Sequence, residues 1–121
     1  MTALTWTAVV VIGGAGSVLR FLVDRAVVGR LGRALPVGTL TVNITGAALL
    51  GLVTGLALSR DASLIAGTAA VGSYTTFSTW MFETERLSEE RQLGLAVANI
   101  VVSVVLGVAA VMLGQAIGSR L

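Results

Sequence analysis

Charge is confined to four places in this chain, and the stretches between them are long enough to cross a bilayer. The ionisable side chains fall at residues 20–33, at Arg60-Asp61, at residues 83–91 and at Arg120. The uncharged runs that remain, Met1–Leu19, Ala34–Ser59, Ala62–Phe82 and Gln92–Ser119, contain 19, 26, 21 and 28 residues. A helix needs roughly 20 predominantly apolar residues to span the hydrocarbon, so four spans use up the chain. With 55% hydrophobic residues and a mean hydropathy of +0.95, too little polar surface is left for a soluble domain of this size. The sequence predicts one all-α integral membrane domain, 1–121, with helices at about 4–23, 37–58, 62–82 and 93–117.

Composition removes several classes of function. The pI of about 10.5 reflects a net charge of only +2 in which every cation is Arg, and no basic run exists that would track a phosphate backbone, so a nucleic-acid partner is not expected. The chain has no Cys and no His, which excludes the usual zinc, redox-metal and thiol chemistry. It also has no Lys, and its Asp and Glu residues lie at the edges of the apolar runs, so a membrane enzyme is not expected. The N-terminus lacks a positive n-region and a small-residue cleavage site, and reads as a retained first helix.

Within the third run, residues 73–79 carry six hydroxyl-bearing side chains in seven positions: Ser73, Tyr74, Thr75, Thr76, Ser78 and Thr79 around Phe77. Lipid offers such groups no partner, so this segment must face protein, water or an ion. The helix is expected to be regular through Val71 and to break from Gly72 onward, where a residue free in φ precedes hydroxyls that compete for backbone hydrogen bonds. A continuous helix with hydroxyls bonded back to carbonyls is the alternative. The nearest arginines in sequence are Arg60 and Arg86, so no cationic side chain is expected at the break. Phe77 and Trp80, three apart, share a face.

Other polar residues can be read in two ways. Arg20 either pairs with Asp24 four residues on or sits at the floor of an aqueous entry that attracts anions. Asn43, on the same face as Thr39, either makes an interhelical hydrogen bond or lines a pore as a donor. The connector from Asp24 to Leu35 suits a short amphipathic helix lying in the interface. The acidic and basic residues from Glu83 to Arg91 read as a solvated cap, and Asn99, Ser103 and Gly107 form one polar stripe on the fourth helix. Small residues at Gly13, Gly14, Gly16 and Ser17, at Ala47, Gly51 and Gly55, and at Gly114 and Gly118 suit close helix packing.

The order Gly13-Gly14, Gly16 and Arg20, then Gly38-Thr39, Asn43 and Gly46, then Gly72 and Thr75-Thr76-Phe77-Ser78-Thr79 with Glu83, resembles the Fluc (CrcB) fluoride channels across three of the four helices. The resemblance implies a fluoride-specific passive channel in the bacterial plasma membrane that exports cytoplasmic fluoride. It implies a dimer of four-helix subunits packed antiparallel, with two ion pathways along the subunit boundary. It further implies a third helix broken at mid-membrane whose Gly72 and Thr75 carbonyls, from both subunits, hold a structural Na⁺ that is not transported. The resemblance puts Phe77 and Trp80 as the aromatic pair facing the ion path, with Asn43 as a polar contact and Arg20 at the vestibule; Ser103, Thr39, Thr76 and Thr79, polar groups on faces that lipid could not accept, are expected to line the same path. Trp80 stands where the family commonly has Phe, Asn99 where an aromatic is expected, and Gly107 where a hydroxyl is common.

Two other classes compete. A small-multidrug-type four-helix transporter matches in size, but a proton relay needs a titratable group inside a span, and none is expected here. A non-conducting membrane scaffold would use the glycines for assembly alone. Loop charge bears on orientation: the connectors after the first and third helices carry five arginines (Arg25, Arg30, Arg33, Arg86, Arg91) against two (Arg60, Arg120) on the other side. Positive-inside counting favours both termini outside. That bias leaves two dimers open, a dual-topology homodimer and a pair with a homologous chain of opposite bias.

Overall fold

The computed structural model describes residues 2–121, whose regular structure is all helical, with no strand among them. The elements are α1 (Ala3–Leu31), α2 (Val37–Gly55), α3 (Arg60–Ser63), a π-helical stretch (Leu64–Val71), α4 (Gly72–Tyr74), α5 (Ser78–Glu89) and α6 (Leu93–Gly118). Three of these, α1, α2 and α6, are long and apolar enough to cross a membrane. The remaining apolar run is divided among the shorter segments from α3 to α5.

Helix α1 is longer than its charge pattern suggests. Its 29 residues make it about 44 Å long at the α-helical rise, against about 30 Å of hydrocarbon. A separate interfacial helix after Asp24 was expected, but the chain stays helical to Leu31. The run Asp24-Arg25-Ala26-Val27-Val28 contains no breaker, and a membrane boundary is a boundary of charge and not of backbone geometry. The helix ends where Gly32 takes φ 81° and closes its N–H onto the Val28 carbonyl at 2.8 Å. Helix α2 stops at Gly55, short of the expected residue 58, and Ala57 turns the chain with φ 51°.

Helices α2 and α6 meet backbone to backbone. A Cβ on Gly51 would lie 2.9 Å from the Gln115 nitrogen, and one on Gly114 would lie 2.9 Å from the Leu52 nitrogen. Gly55 and Gly118 repeat the contact one turn along, so the small residues of the two helices face each other. Gly16 does the same for α1, where a Cβ would come within 2.7 Å of the Ala70 carbonyl oxygen and collide with the Ser73 side chain. Gly14 faces open space.

The expected regularity through Val71 does not hold, because Leu64–Val71 is π-helical. The Gly72 N–H reaches back five residues to the Gly67 carbonyl, and the Ser73 hydroxyl donates to the Ala69 and Ala70 carbonyls at 2.6 and 3.1 Å. The core of the subunit is small, centred on Val42 and Leu87, and long apolar side chains such as Val10, Val18, Phe21 and Leu113 point outward. Those faces suit lipid or another protein surface and not water.

Candidate functional site

Helical geometry stops at Tyr74 and resumes at Ser78. Gly72, where the break was expected to begin, is itself helical with φ −61°. The first residue to leave the helix is Thr75, with φ −81° and ψ 163°. Its displacement from the glycine has a tertiary cause. The Thr76 N–H, which would close a helical bond onto the Gly72 carbonyl, donates instead to Asn43 Oδ1 at 2.8 Å. Asn43 Nδ2 in turn donates to the Thr76 carbonyl, also at 2.8 Å. One amide on α2 therefore takes both backbone groups of one residue in the gap, as a neighbouring strand would. The Asn43 side chain thus makes a bond across to another segment, which was one of its two readings, although its partner is the gap and not a helix.

Around this clamp the gap is held from three directions. The Tyr74 hydroxyl and Thr45 Oγ1 are 2.8 Å apart, fixing the end of α4 to α2. Gly46 leaves room for the Thr75 methyl, which a Cβ there would strike. Arg20 Nη1 donates to the Thr75 carbonyl at 3.4 Å, so a cationic side chain does reach the break, contrary to expectation. Arg20 and Asp24 form no ion pair, and the only salt bridge among the described residues joins Arg86 to Glu90 at 3.7 Å. Downstream, Thr76 Oγ1 accepts from the Thr79 N–H at 3.2 Å and serves the first turn of α5.

Two cavities open on either side of Thr76. The larger, about 370 Å³, is lined by Asn43, Gly72, Thr75, Thr76, Phe77, Trp80, Ser103 and Gly107 among others. The smaller, about 210 Å³, is lined by Ser17, Arg20, Phe21, Asp24, Thr39, Val42, Thr76 and Thr79. The predicted residues thus divide into two groups, with Asn43, Phe77, Trp80 and Ser103 in one and Arg20, Thr39 and Thr79 in the other. Thr76 belongs to both.

In the larger cavity Phe77 and Trp80 meet edge to face, with ring centroids 5.8 Å apart and planes at 83°. Phe77 is 70% exposed within the subunit, so this wall is open on one side. Ser103 is buried and its hydroxyl has no hydrogen-bond partner. Asn99, one turn before it, is buried too, and its Nδ2 donates to Thr84 Oγ1 at 2.9 Å.

The smaller cavity continues toward a pocket of about 280 Å³ that includes Asp24, Arg33, Gly38, Glu83 and Arg86. The buried Thr39 donates its hydroxyl to Glu83 Oε1. Glu83 is therefore a partner of α2 and not simply part of a solvated cap, and the Arg86 guanidinium likewise reaches across to the Arg33 carbonyl at 3.4 Å. Sequence reasoning missed the partners of Glu83 and Thr84, and placed Asn99 in a polar stripe with Ser103 without its bond to Thr84. The signal for Thr84 and Asn99 lay in spacing, since Thr84 follows Trp80 by one turn and Asn99 precedes Ser103 by one turn.

Comparison with known proteins bears on this arrangement. The family model described as CrcB-like protein, Camphor Resistance (CrcB), matches residues 7–115. The chain is 68% identical over 115 residues to the Fluoride-specific ion channel FluC 2 of Mycobacterium tuberculosis, covering 95% of this chain and 91% of that one. It is 46% identical over 105 residues to the Fluoride-specific ion channel FluC 1 of Nocardia farcinica, covering 86% and 74%. With the Fluoride-specific ion channel FluC 1 of Symbiobacterium thermophilum the identity is 39% over 121 residues, covering 95% and 98%.

Proposed function

This chain belongs to the CrcB family, and we propose that it is a fluoride-specific ion channel of the bacterial membrane that lets cytoplasmic fluoride out passively. The observation that carries this reading is the gap at residues 75–77, clamped by Asn43 beside the edge-on pair of Phe77 and Trp80. Fluoride is small and tightly hydrated, so a pathway must replace its water with donors. Ring edges carry the positive end of the aromatic quadrupole, and the unpartnered Ser103 hydroxyl adds a donor in the same cavity. Arg20, in the smaller cavity, supplies the positive potential that gathers anions at an entrance.

Passive conduction suits the chemistry of the ion. Hydrogen fluoride crosses lipid as a neutral weak acid and dissociates in the more alkaline cytoplasm, trapping the anion there. An anion channel driven by the inside-negative potential relieves this without a second energy source.

In this reading two subunits pack antiparallel and complete the pathway. The support is that the wall bearing Phe77 is open and that lipid cannot satisfy the hydroxyls and carbonyls along it. The break would lie at mid-membrane, where its freed carbonyls need partners. Backbone oxygens are the right donor type for Na⁺, and the Gly72 carbonyl has lost its Thr76 donor to Asn43, so Gly72 and Thr75 fit as its ligands. The ion would supply a fixed positive charge at the subunit boundary. The Thr75 carbonyl, now shared with Arg20, would exchange that donor for the ion.

The test is efflux from liposomes holding the purified protein and loaded with fluoride or chloride. Only fluoride should leave. Equal chloride efflux, or fluoride efflux that requires a pH gradient, would refute the proposal.

A further inference from the structure

Three hydrogen bonds close a ring between α5 and α6. Asn99 Nδ2 donates to Thr84 Oγ1 at 2.9 Å, the Thr84 hydroxyl donates to the Trp80 carbonyl at 2.8 Å, and the Trp80 indole Nε1–H donates to the Asn99 carbonyl at 3.2 Å. A threonine hydroxyl and an indole each have a single hydrogen to give. Thr84 spends its hydrogen on Trp80, so it can only accept from Asn99, and the direction of the whole ring is fixed. Trp80 is gripped at both ends, its backbone by Thr84 and its indole nitrogen by α6.

The ring also acts on Ser103. A carbonyl oxygen has two lone pairs. At Asn99 the helical N–H of Ser103 takes one and the Trp80 indole takes the other. A serine in an apolar helix ordinarily gives its hydroxyl back to the carbonyls three and four residues before it, as Ser73 does in this chain, at 2.6 Å to Ala69 and more weakly, at 3.1 Å, to Ala70. At Ser103 the closer of these two acceptors, the Asn99 carbonyl, is full, and the hydroxyl is buried with no partner on the wall of the larger cavity.

We infer that the Trp80 indole N–H keeps the Ser103 hydroxyl free for the passing anion, and that Asn99 and Thr84 are positioning residues that hold the indole in place. This rests on the reading that Ser103 lines the conduction path. Without the Asn99 amide, α5 and α6 lose the side-chain half of their link. The indole then loses register with the Asn99 carbonyl, and the serine turns back onto its own helix.

The experiment uses full-length protein carrying Trp6→Phe, which leaves Trp80 as the only tryptophan; Trp6 lies on the exposed start of α1, away from both cavities. Asn99→Leu and Thr84→Val each remove one side-chain member of the ring. In assembled protein recovered by gel filtration, both should shift the Trp80 emission maximum and lower its anisotropy. Each should also slow fluoride efflux by about tenfold, the effect of one lost hydrogen bond. Ser103→Ala should slow efflux similarly in the parent, but change it by less than about twofold in a Trp80→Phe background, because there the serine is already turned back. Unchanged emission and anisotropy in both Asn99→Leu and Thr84→Val would overturn the positioning role. Equal losses from Ser103→Ala with and without Trp80→Phe would overturn the control of the serine. Parent-level efflux in Ser103→Ala alone would instead refute the underlying placement of Ser103, while the fluorescence still decides whether the ring holds the indole.

Discussion

Replacing Asn43 tests the clamp directly, because its amide makes two bonds to one backbone unit. In Asn43→Ala both the Thr76 N–H and the Thr76 carbonyl lose their partner at 2.8 Å, and the truncated side chain leaves space for water to replace it. At about 0.5–1.5 kcal/mol net for each bond, the held geometry of the gap loses roughly 1–3 kcal/mol. That is a fall of roughly 5- to 150-fold in its population against released alternatives. Asn43→Leu, of similar volume to the amide, keeps water out and leaves both groups unpaired at about 1–3 kcal/mol each, so its loss is greater. Fluoride efflux from liposomes, read with an electrode, should rank parent above Asn43→Ala above Asn43→Leu. Hydrogen exchange of a peptide covering residues 70–82 should quicken in the same order, with gel filtration reporting assembly. Efflux within about twofold of the parent in Asn43→Ala, or no change in exchange at the gap, would refute the clamp as the element that sets this geometry.

Phe77→Ile keeps bulk and removes the ring edge, so it should abolish most fluoride efflux without altering the gel-filtration profile; parent-level efflux would remove Phe77 from the site. Gly114→Leu forces a side chain into the space where α2 and α6 touch and should lower the midpoint of thermal aggregation sharply. Gly14→Ala, which meets nothing within the subunit, should leave the fold of the subunit intact, as judged by circular dichroism. Cysteine placed at residue 62 or 119 should be labelled from both sides of the membrane in a dual-topology homodimer. Labelling from outside alone, with no efflux by the isolated chain, would mean that a homologous partner is required.

The placement of α2 and α6 was legible because hydrophobic length is a local property: both begin at the expected residue, at Val37 and Leu93. The close packing at Gly51, Gly55, Gly114 and Gly118 was legible for the same reason, since small residues one turn apart leave a groove wherever they occur. The end of α1 was not, because charge marks where lipid stops and says nothing about where hydrogen bonding along the backbone stops. The position of the gap was hidden more deeply. Glycine pointed to residue 72, but the residue that decides is Asn43, which competes for the N–H of Thr76, 33 positions further along the chain. Arg20 at the Thr75 carbonyl and Thr39 on Glu83 are likewise long-range pairings that linear spacing does not display. The fate of the Ser103 hydroxyl depends on a donor from another helix, which no pattern within α6 reveals.

The division of the third apolar run has a consequence for biosynthesis. Among the described residues, α1, α2 and α6 alone are long and apolar enough to cross a membrane, whereas α5 carries Glu83, Glu85, Arg86 and Glu89 within its 12 residues. An emerging segment of that kind, with an interrupted backbone ahead of it, gains little by entering hydrocarbon alone. The groups that satisfy the interruption, Asn43, Thr45 and Arg20, belong to α1 and α2 and leave the ribosome before it does. The first two helices therefore offer the partners on which this segment can be laid down, and two of those partners, Asn43 and Arg20, are residues that the proposed channel would use again for the ion.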